Sequence, residues 1–444
     1  MATGITTKAD LLKFVKEHDV RIIHLWFTDI LGMLKSFGIT PHQLEEALDE
    51  GLGFDGSSVE GFARIYESDL IAIPDISTFQ VLPWKIDGQA AGRIICNILN
   101  PDQTPYDGDP RWVLHRALHR VESEGYTFYV GPELEYFYLA GATEPVPIDR
   151  AGYFDFIPDD VGNEIRQRTI QALHDMNIAV EVGHHEVAPS QHEIDLKYTD
   201  ALSMADACMT YRYVVKEIAR QHGVYATFMP KPIFGENGSG MHVHQSLFQG
   251  KRNAFYDADD RFHLSAIGQS YMAGLLSHAR EICAVTNQWV NSYKRLVPGY
   301  EAPVYIAWGQ RNRSALIRVP MYKPGKETGT RIEFRCPDPA CNPYLAFGVM
   351  LAAGLDGIHR RQVLREPVEE DIFHMTPAER SQRGIDSLPD SLNRAIELAE
   401  DSSLLQETLG AHVFEKFIEN KKIEWDKYRI AVTQYEIEKY LPML

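Results

Sequence analysis

Four short segments of this 444-residue chain gather side chains able to hold cations or anions. Gly131-Pro132-Glu133-Leu134-Glu135-Tyr136-Phe137 reads as a strand, because Gly-Pro does not sit inside a helix and the aromatic run favours a pleated surface. Strand side chains alternate, so Glu133 and Glu135 share a face, where two like charges repel unless water or a cation screens them. In His184-His185-Glu186-Val187-Ala188-Pro189-Ser190-Gln191-His192-Glu193, Pro189 stands where a zinc-protease H-E-x-x-H helix needs its second histidine. What remains is a strand end and a loop carrying Glu186, Glu193 and three imidazoles. Asn237-Gly238-Ser239-Gly240 is a glycine-rich approach to a strand that sets His242, His244 and Ser246 on one face. Arg331-Ile332-Glu333-Phe334-Arg335 places Arg331, Glu333 and Arg335 together, with Arg295, Arg311, Arg313 and Arg318 nearby in sequence. Each segment taken alone also fits a plain alternative: an exposed edge, a hydrated loop or a salt-bridged outer face.

Pooled, the segments are more specific. Glu133, Glu135, Glu186, Glu193 and Glu333 with His242 form an oxygen-rich ligand set that suits Mg²⁺ or Mn²⁺ better than zinc. Two divalent ions would bring four positive charges against the five carboxylates. The arginines reverse the sign of an otherwise acidic chain, as an anionic substrate requires, and their planar forks match phosphate or carboxylate. Metals and arginines without a nucleophilic serine or cysteine motif point to phosphoryl transfer from a nucleotide, where catalysis is positioning and charge neutralisation. Two familiar phosphate motifs are absent. Gly51–Gly56 fits G-x-G-x-x-G but follows a helix rather than a strand, and Gly325-Lys326 lacks the glycine spacing and Ser/Thr of a Walker A loop.

The elements that must position these groups are legible in outline. Helices are expected near Lys8–His18 and Pro41–Leu48, the latter with Thr40 as N-cap and Pro41 at the first turn. Strands are expected at Val20–Phe27, Met33–Ile39, Leu70–Ile73, Gln80–Pro83 and Ala91–Leu99, with Gly51–Gly61 a loop. The proline-rich stretch Asn100–Pro110 is the best boundary, giving domains of residues 1–105 and 106–444. Beyond it, helices near Arg111–Glu124, Val161–Met176, Thr199–His222, Leu264–Thr286 and Pro343–Arg361 alternate with strands near Thr127–Tyr138, Ala179–Val187, Tyr225–Met229, Met241–Phe248 and Arg331–Arg335. A mostly helical, charged tail follows from Leu388 to Tyr440. The mixture implies an α+β fold with one small and one large domain.

Composition narrows the class further. Apolar residues make up 44% and charged residues 24%, as in a globular protein with a sizeable core. A net charge of −18 argues against nucleic acid and against anionic membranes as partners. The longest uncharged apolar run, Leu345–Leu355, falls short of the roughly 20 residues that a spanning helix needs. No signal-peptide core is visible in the first residues, and five cysteines without a C-x-x-C give neither a disulfide framework nor a zinc site. A cytoplasmic location is expected.

With these motifs in place, the chain resembles type I glutamine synthetases from about residue 10 to its end. The resemblance rests on Phe54-Asp55-Gly56-Ser57-Ser58, on Lys231–His242, on Asn291–Pro303 (NSYKRLVPGYEAP), and on the order of the Glu133 and Glu186 blocks. It implies a small N-terminal β-grasp domain, a large catalytic domain, and a dodecamer of two hexameric rings with active sites between subunits. It also implies the substrates L-glutamate, ammonium and ATP, two or more Mg²⁺ or Mn²⁺ ions per site, and a γ-glutamyl phosphate intermediate. By motif, Glu135, Glu186 and Glu193 would hold the metal nearer glutamate, and Glu133, His242 and Glu333 the one at the ATP phosphates. Arg295 and Arg335, with Asn237 and Gly238, would grip glutamate. Arg313, Arg318 and Arg331 would neutralise the transferring phosphoryl group, with His244 and Ser246 beside the nucleotide. Asp55, reaching into the neighbouring subunit's site, would help deprotonate ammonium in a pocket completed by Ser58, Tyr153 and Glu186. Glu301 would close over the intermediate. Met321–Thr330 matches no motif block of the family. The absence of tyrosine between Tyr344 and Tyr428 excludes tyrosine adenylylation there, which implies the feedback-regulated subclass with Arg64 as the regulatory residue, although Tyr66 stands where an acidic residue is usual.

Overall fold

The computed structural model describes residues 5–59, 61, 69–158 and 160–444. The fold is α+β, as expected, with two hydrophobic cores. The smaller core belongs to the first hundred residues: α1 (Lys8–Glu17), β1 (Val20–Thr28), β2 (Leu34–Ile39), α2 (Pro41–Glu50), β3 (Leu52–Asp55), β4 (Asp69–Pro74), β5 (Gln80–Ile86) and β6 (Gln89–Leu99). Thr7 and Asp10 close a capping box on α1, and Pro41 opens α2 behind Thr40. Leu11, Val15, Leu44 and Ala47 form their buried stripes. The strands order as β2-β1-β6-β4-β3, with β1 and β6 parallel and β5 antiparallel to β6. The expected loop at Gly51–Gly61 therefore begins as a strand: Leu52–Asp55 pairs antiparallel with Asp69–Ala72, and a 3₁₀ turn follows at Gly56–Ser58. Backbone pairing outweighs the weak strand preference of glycine there.

The large unit begins with α3 (Pro110–Ser123) and β7 (Thr127–Leu139), followed by α4 (Val161–Asp175), β8 (Val180–His185), β9 (Gln191–Leu196), β10 (Thr199–Asp200), α5 (Ala201–Gln221) and β11 (Tyr225–Thr227). Next come β12 (Met241–Gln249), β13 (Arg252–Asn253), α6 (Ala266–Thr286), α7 (Ser292–Arg295), β14 (Tyr305–Gly309), β15 (Ala315–Arg318) and β16 (Ile332–Phe334). Helices α8 (Pro343–His359), α9 (Pro377–Gln382), α10 (Leu392–Glu400), α11 (Ser403–Leu409), α12 (Ala411–Arg429) and α13 (Gln434–Tyr440) complete it. Among the described residues its sheet runs β14-β15-β16-β12-β7-β9-β8, with β10 and β11 also pairing β7 and β13 pairing β12. The two-residue strands β10 and β13 lie outside the expected strands, as do the longer β9, β14 and β15. The last three are short runs of four to six residues, and β9 begins within the polar stretch where a loop is expected.

Helix α8 is apolar on all sides and is buried against α3, α5, α6 and α11, as such a helix must be. Two polar ties help to dock the small domain on this large core. The turn after β1 places Gly32 at φ +77° against Asn342, the N-cap of α8, whose amide donates to the carbonyls of Asp29 (3.0 Å) and Ile30 (3.3 Å). Buried Arg111, at the start of α3, pairs with Asp75 of the small domain (2.9 Å) and Asp206 of α5 (2.8 Å). The two carboxylates outweigh burial and hold its guanidinium well above the usual range.

Helices α6 and α8 approach closely through Gly274 and Gly357, and a Cβ on Gly357 would overlap the Ser270 carbonyl oxygen. Gly357→Ala is therefore expected to cost about 1–3 kcal/mol of stability through overpacking, read as a lower urea midpoint with an unchanged slope. An unchanged midpoint would show that the helices separate freely.

Candidate active site

Strand register brings the four motifs together. Antiparallel pairing puts His242 opposite Glu133, Glu133 opposite Asp195, Glu135 opposite Glu193, and Glu193 opposite His184. On the other flank His244 faces Glu333 and Glu333 faces Arg318. Cross-strand partners share a face, so side chains about 200 residues apart in sequence form one wall. Glu193, expected on a loop, stands on β9, and this is why it lies beside Glu135.

The wall has two halves of different charge balance. In one, Glu133 sits 2.7 Å from His244 Nε2 and 3.4 Å from His242 Nδ1, while Glu333 is 3.6 Å from His242 Nδ1 and pairs with Arg318 and with Arg335 Nε (3.2 Å). Burial pushes both carboxyls up, but imidazoles outweigh it at Glu133, as imidazoles and arginines do at Glu333, so both lie below the usual range. His244 Nδ1 accepts from Arg331 Nε at 3.2 Å, so its Nε2 carries the proton that it donates to Glu133. Ligand atoms of Glu133, His242 and Glu333 lie within 4.8 Å of one another.

In the other half no described arginine pairs with a carboxylate. Burial, then the charge on Glu186, raises Glu135, and burial with Glu135 and Asp195 raises Glu193. Glu186 is pushed up to about 7 by burial, and Asp195 to about 8 by burial and the Glu133 charge. Asp195 Oδ1 is buried and has no hydrogen-bond partner in the structure. His184 lies 3.0 Å from Glu193 and 3.5 Å from Glu186, but burial holds its imidazole below its ordinary value. Ligand atoms of His184, Glu193 and Asp195 gather within 4.8 Å. Such a set, all oxygen save one nitrogen and short of positive charge, fits hard divalent cations.

Both halves open into one cavity of ≈ 1300 Å³. Of the residues predicted from sequence, Glu133, Glu135, Glu186, Glu193, His242 and Glu333 line it, together with Tyr153, Asn237, Glu301, Arg313, Arg318 and Arg335. Gly238, Arg295, His244, Ser246 and Arg331 lie behind or beside it. Arg295 is buried and donates to the carbonyls of Cys336 (2.9 Å) and Arg335 (3.2 Å), bracing the strand end that carries Arg335 and leaving other guanidinium protons. The Gly238 carbonyl accepts from Gln191 (3.0 Å), and Ser246 is buried opposite Tyr129. Asp55, hydrogen-bonded to Ser57, and Ser58 are exposed on the small domain and do not line this chain's cavity. Arg64 and Tyr66 lie outside the described residues.

Sequence reasoning missed Asp195 and Gln191, and gave His184 no separate role. Asp195 stands two residues after Glu193 on the same strand face, so the period of two could have found it. Gln191 donates to Glu135 (2.9 Å) and to the Gly238 carbonyl, a link that no local pattern announces.

Two family models match the chain: the β-grasp domain of glutamine synthetase over residues 19–101 and the glutamine synthetase catalytic domain over residues 107–440. A glutamine synthetase of Mycolicibacterium smegmatis is 52% identical over 442 residues, covering 98% of this chain and 99% of the relative. One of Methanosarcina mazei is 51% identical over 443 residues, covering 99% and 98%. Among solved structures, the Plasmodium falciparum glutamine synthetase superposes with a TM-score of 0.89 at 28% identity over 98% of this chain and 99% of that one. A GmaS/ADP complex superposes with a TM-score of 0.88 at 29% identity over 97% and 99%.

The charge balance of the wall carries a pH signature. Without metal, the folded chain holds protons on carboxyls such as Glu186 (about 7) and Asp195 (about 8) that the unfolded chain has released. Stability from these groups is thus lost as pH rises from the ordinary carboxyl range through these values. A divalent cation displaces the protons, so the rise in melting temperature on adding Mg²⁺ or Mn²⁺ should be larger at pH 8 than at pH 6. An equal rise at both would contradict this charge assignment. Asp195→Asn should raise the metal-free melting temperature at pH 8, checked in the same scan with chelator present.

Proposed function

We infer, because the chain belongs to the glutamine synthetase family, that it joins ammonia to the side-chain carboxylate of L-glutamate at the expense of ATP, giving L-glutamine, ADP and phosphate. The observation that carries the reading is the single cavity in which a wall of carboxylates faces Arg313, Arg318 and Arg335. Two or more Mg²⁺ or Mn²⁺ ions, held by Glu135, Glu186 and Glu193 and by Glu133, His242 and Glu333, would shield the charge that passes from ATP to glutamate. Around them, Arg313, Arg318 and Arg331 offset the phosphoryl oxygens, and His244 and Ser246 flank the nucleotide. Arg335, with Arg295 behind it, and Asn237 and Gly238 orient glutamate so that its carboxylate meets the phosphoryl group in line. Glu301 covers the γ-glutamyl phosphate, which would hydrolyse if water entered.

Ammonium must lose a proton before it can attack. Asp55 and Ser58 of a neighbouring subunit, with Tyr153 and Glu186, form the pocket that attracts the cation and accepts the proton. The exposure of Asp55 and Ser58, away from their own chain's cavity, supports this sharing, and membership of the family supplies the dodecamer of two hexameric rings. Feedback by glutamine through Arg64 belongs to the same reading. Five cysteines without disulfides and ATP as co-substrate support a cytoplasmic location.

The test is phosphate release by the assembled protein with ATP, Mg²⁺ and L-glutamate, comparing ammonium with a panel of primary amines. Release with ammonium and glutamine as product is expected. Release only with a larger amine would make the chain a γ-glutamyl-amine ligase, and none with any amine would leave a non-catalytic ring. Asp55→Ala should slow amide formation far more than it weakens ATP binding, and equal loss of both would remove the ammonium role.

A further inference from the structure

Glu186 and Tyr153 stand on separate loops, and a compact polar device ties those loops together. Asp149 Oδ1 accepts three hydrogen bonds: from the Ser190 N–H (2.8 Å), the Ala151 N–H (3.1 Å) and His185 Nε2 (3.1 Å). Ser190, buried and at φ +60°, returns the link, for its Oγ accepts from the N–H groups of Ile148 (2.8 Å) and Asp149 (2.9 Å). Fully buried His185 donates through Nδ1 to the Glu186 carbonyl (2.7 Å), and its own carbonyl accepts from the Phe154 N–H (3.1 Å). One imidazole thus bridges the 148–154 segment to the main chain of Glu186.

The bridge has something to hold. Tyr153 and Phe154 are 45% and 60% exposed, too open for packing alone to fix them. Phe154 also adopts φ +63°, a costly conformation for an aromatic residue. The two rings stack at 4.1 Å and stand edge-on to His184, at 5.5 and 4.6 Å. His184 lies 3.5 Å from the Glu186 carboxylate. The position of Tyr153 relative to Glu186 therefore depends on the Asp149–His185–Ser190 link.

We propose that Asp149, His185 and Ser190 are positioning residues for the ammonium pocket, fastening the Tyr153 loop at a fixed distance from Glu186. The proposal rests on the reading above that Tyr153 and Glu186 line that pocket. None of the three lines the cavity, so they act through Tyr153 and Glu186 rather than on the reactants. A slackened link widens the pocket for the smallest substrate and leaves the sites of ATP and glutamate as they were.

Steady-state phosphate release by assembled His185→Asn, His185→Gln and Ser190→Ala proteins tests this. Asparagine keeps a donor for the Glu186 carbonyl but is too short to reach Asp149, whereas glutamine reaches it. His185→Asn and Ser190→Ala should raise the KM for ammonium about tenfold, with the KM for ATP and glutamate within about twofold, and His185→Gln should recover most of the loss. An ammonium KM like that of the unmodified protein, or equal shifts in all three constants, would overturn the proposal. So would failure of both His185→Asn and Ser190→Ala to assemble, since the link would then serve folding alone. No ammonium-dependent phosphate release by the unmodified protein would remove the functional reading itself. An active unmodified protein with unaltered variants removes only the positioning role.

Discussion

The repulsion among the buried carboxylates of the central wall governs this molecule. Glu133, Glu135, Glu186, Glu193, Asp195 and Glu333 cover neighbouring positions on three strands and the loop after β8, and two unit charges 4 Å apart repel by about 4 kcal/mol where the effective dielectric constant is about 20. No local preference gathers such groups. They are held by a sheet whose opposite side is packed into the large core, so the strands cannot slip by one residue without turning that wall inward.

The wall deals with its charge unevenly. At Glu133 and Glu333 the protein supplies two imidazole donors and two arginines, and the carboxylates stay ionised. At Glu135, Glu186, Glu193 and Asp195 it supplies little beyond a buried, neutral-leaning His184, and protons remain where cations fit. The first half is built to hold its geometry before anything binds. The second half gains most from a bound cation, which couples occupancy of the site to its order. Arg295 and Gln191 serve that order from behind, one bracing the strand end at Arg335 and the other tying Glu135 to the Gly238 loop.

The sequence alone was informative where a covalent period carries the signal. Alternation along one strand was enough to pair Glu133 with Glu135, His242 with His244, and Glu333 with Arg335. The cap residue Thr40 and Pro41 located the start of α2. Reading failed where pairing with a distant segment decides the local structure. Leu52–Asp55 has glycine in its middle and forms a strand only because Asp69–Ala72 lies beside it. Gln191–Leu196 is polar enough to resemble a loop until β7 and β8 enclose it.

What the sequence by itself determined is the inventory and the local facing: an oxygen-rich ligand set, arginines for an anion, two domains' worth of apolar pattern, and no motif for a nucleophile. These follow from bonded geometry and composition, which every segment carries with it. Only the tertiary structure decided which carboxylates became neighbours, which of them kept protons, and how Asp149 and His185 bind two loops into one pocket. Those outcomes depend on register, burial and the distance between charges far apart in the chain. Such quantities exist only after the core has packed, because burial sets both the cost of a charge and the partners within its reach.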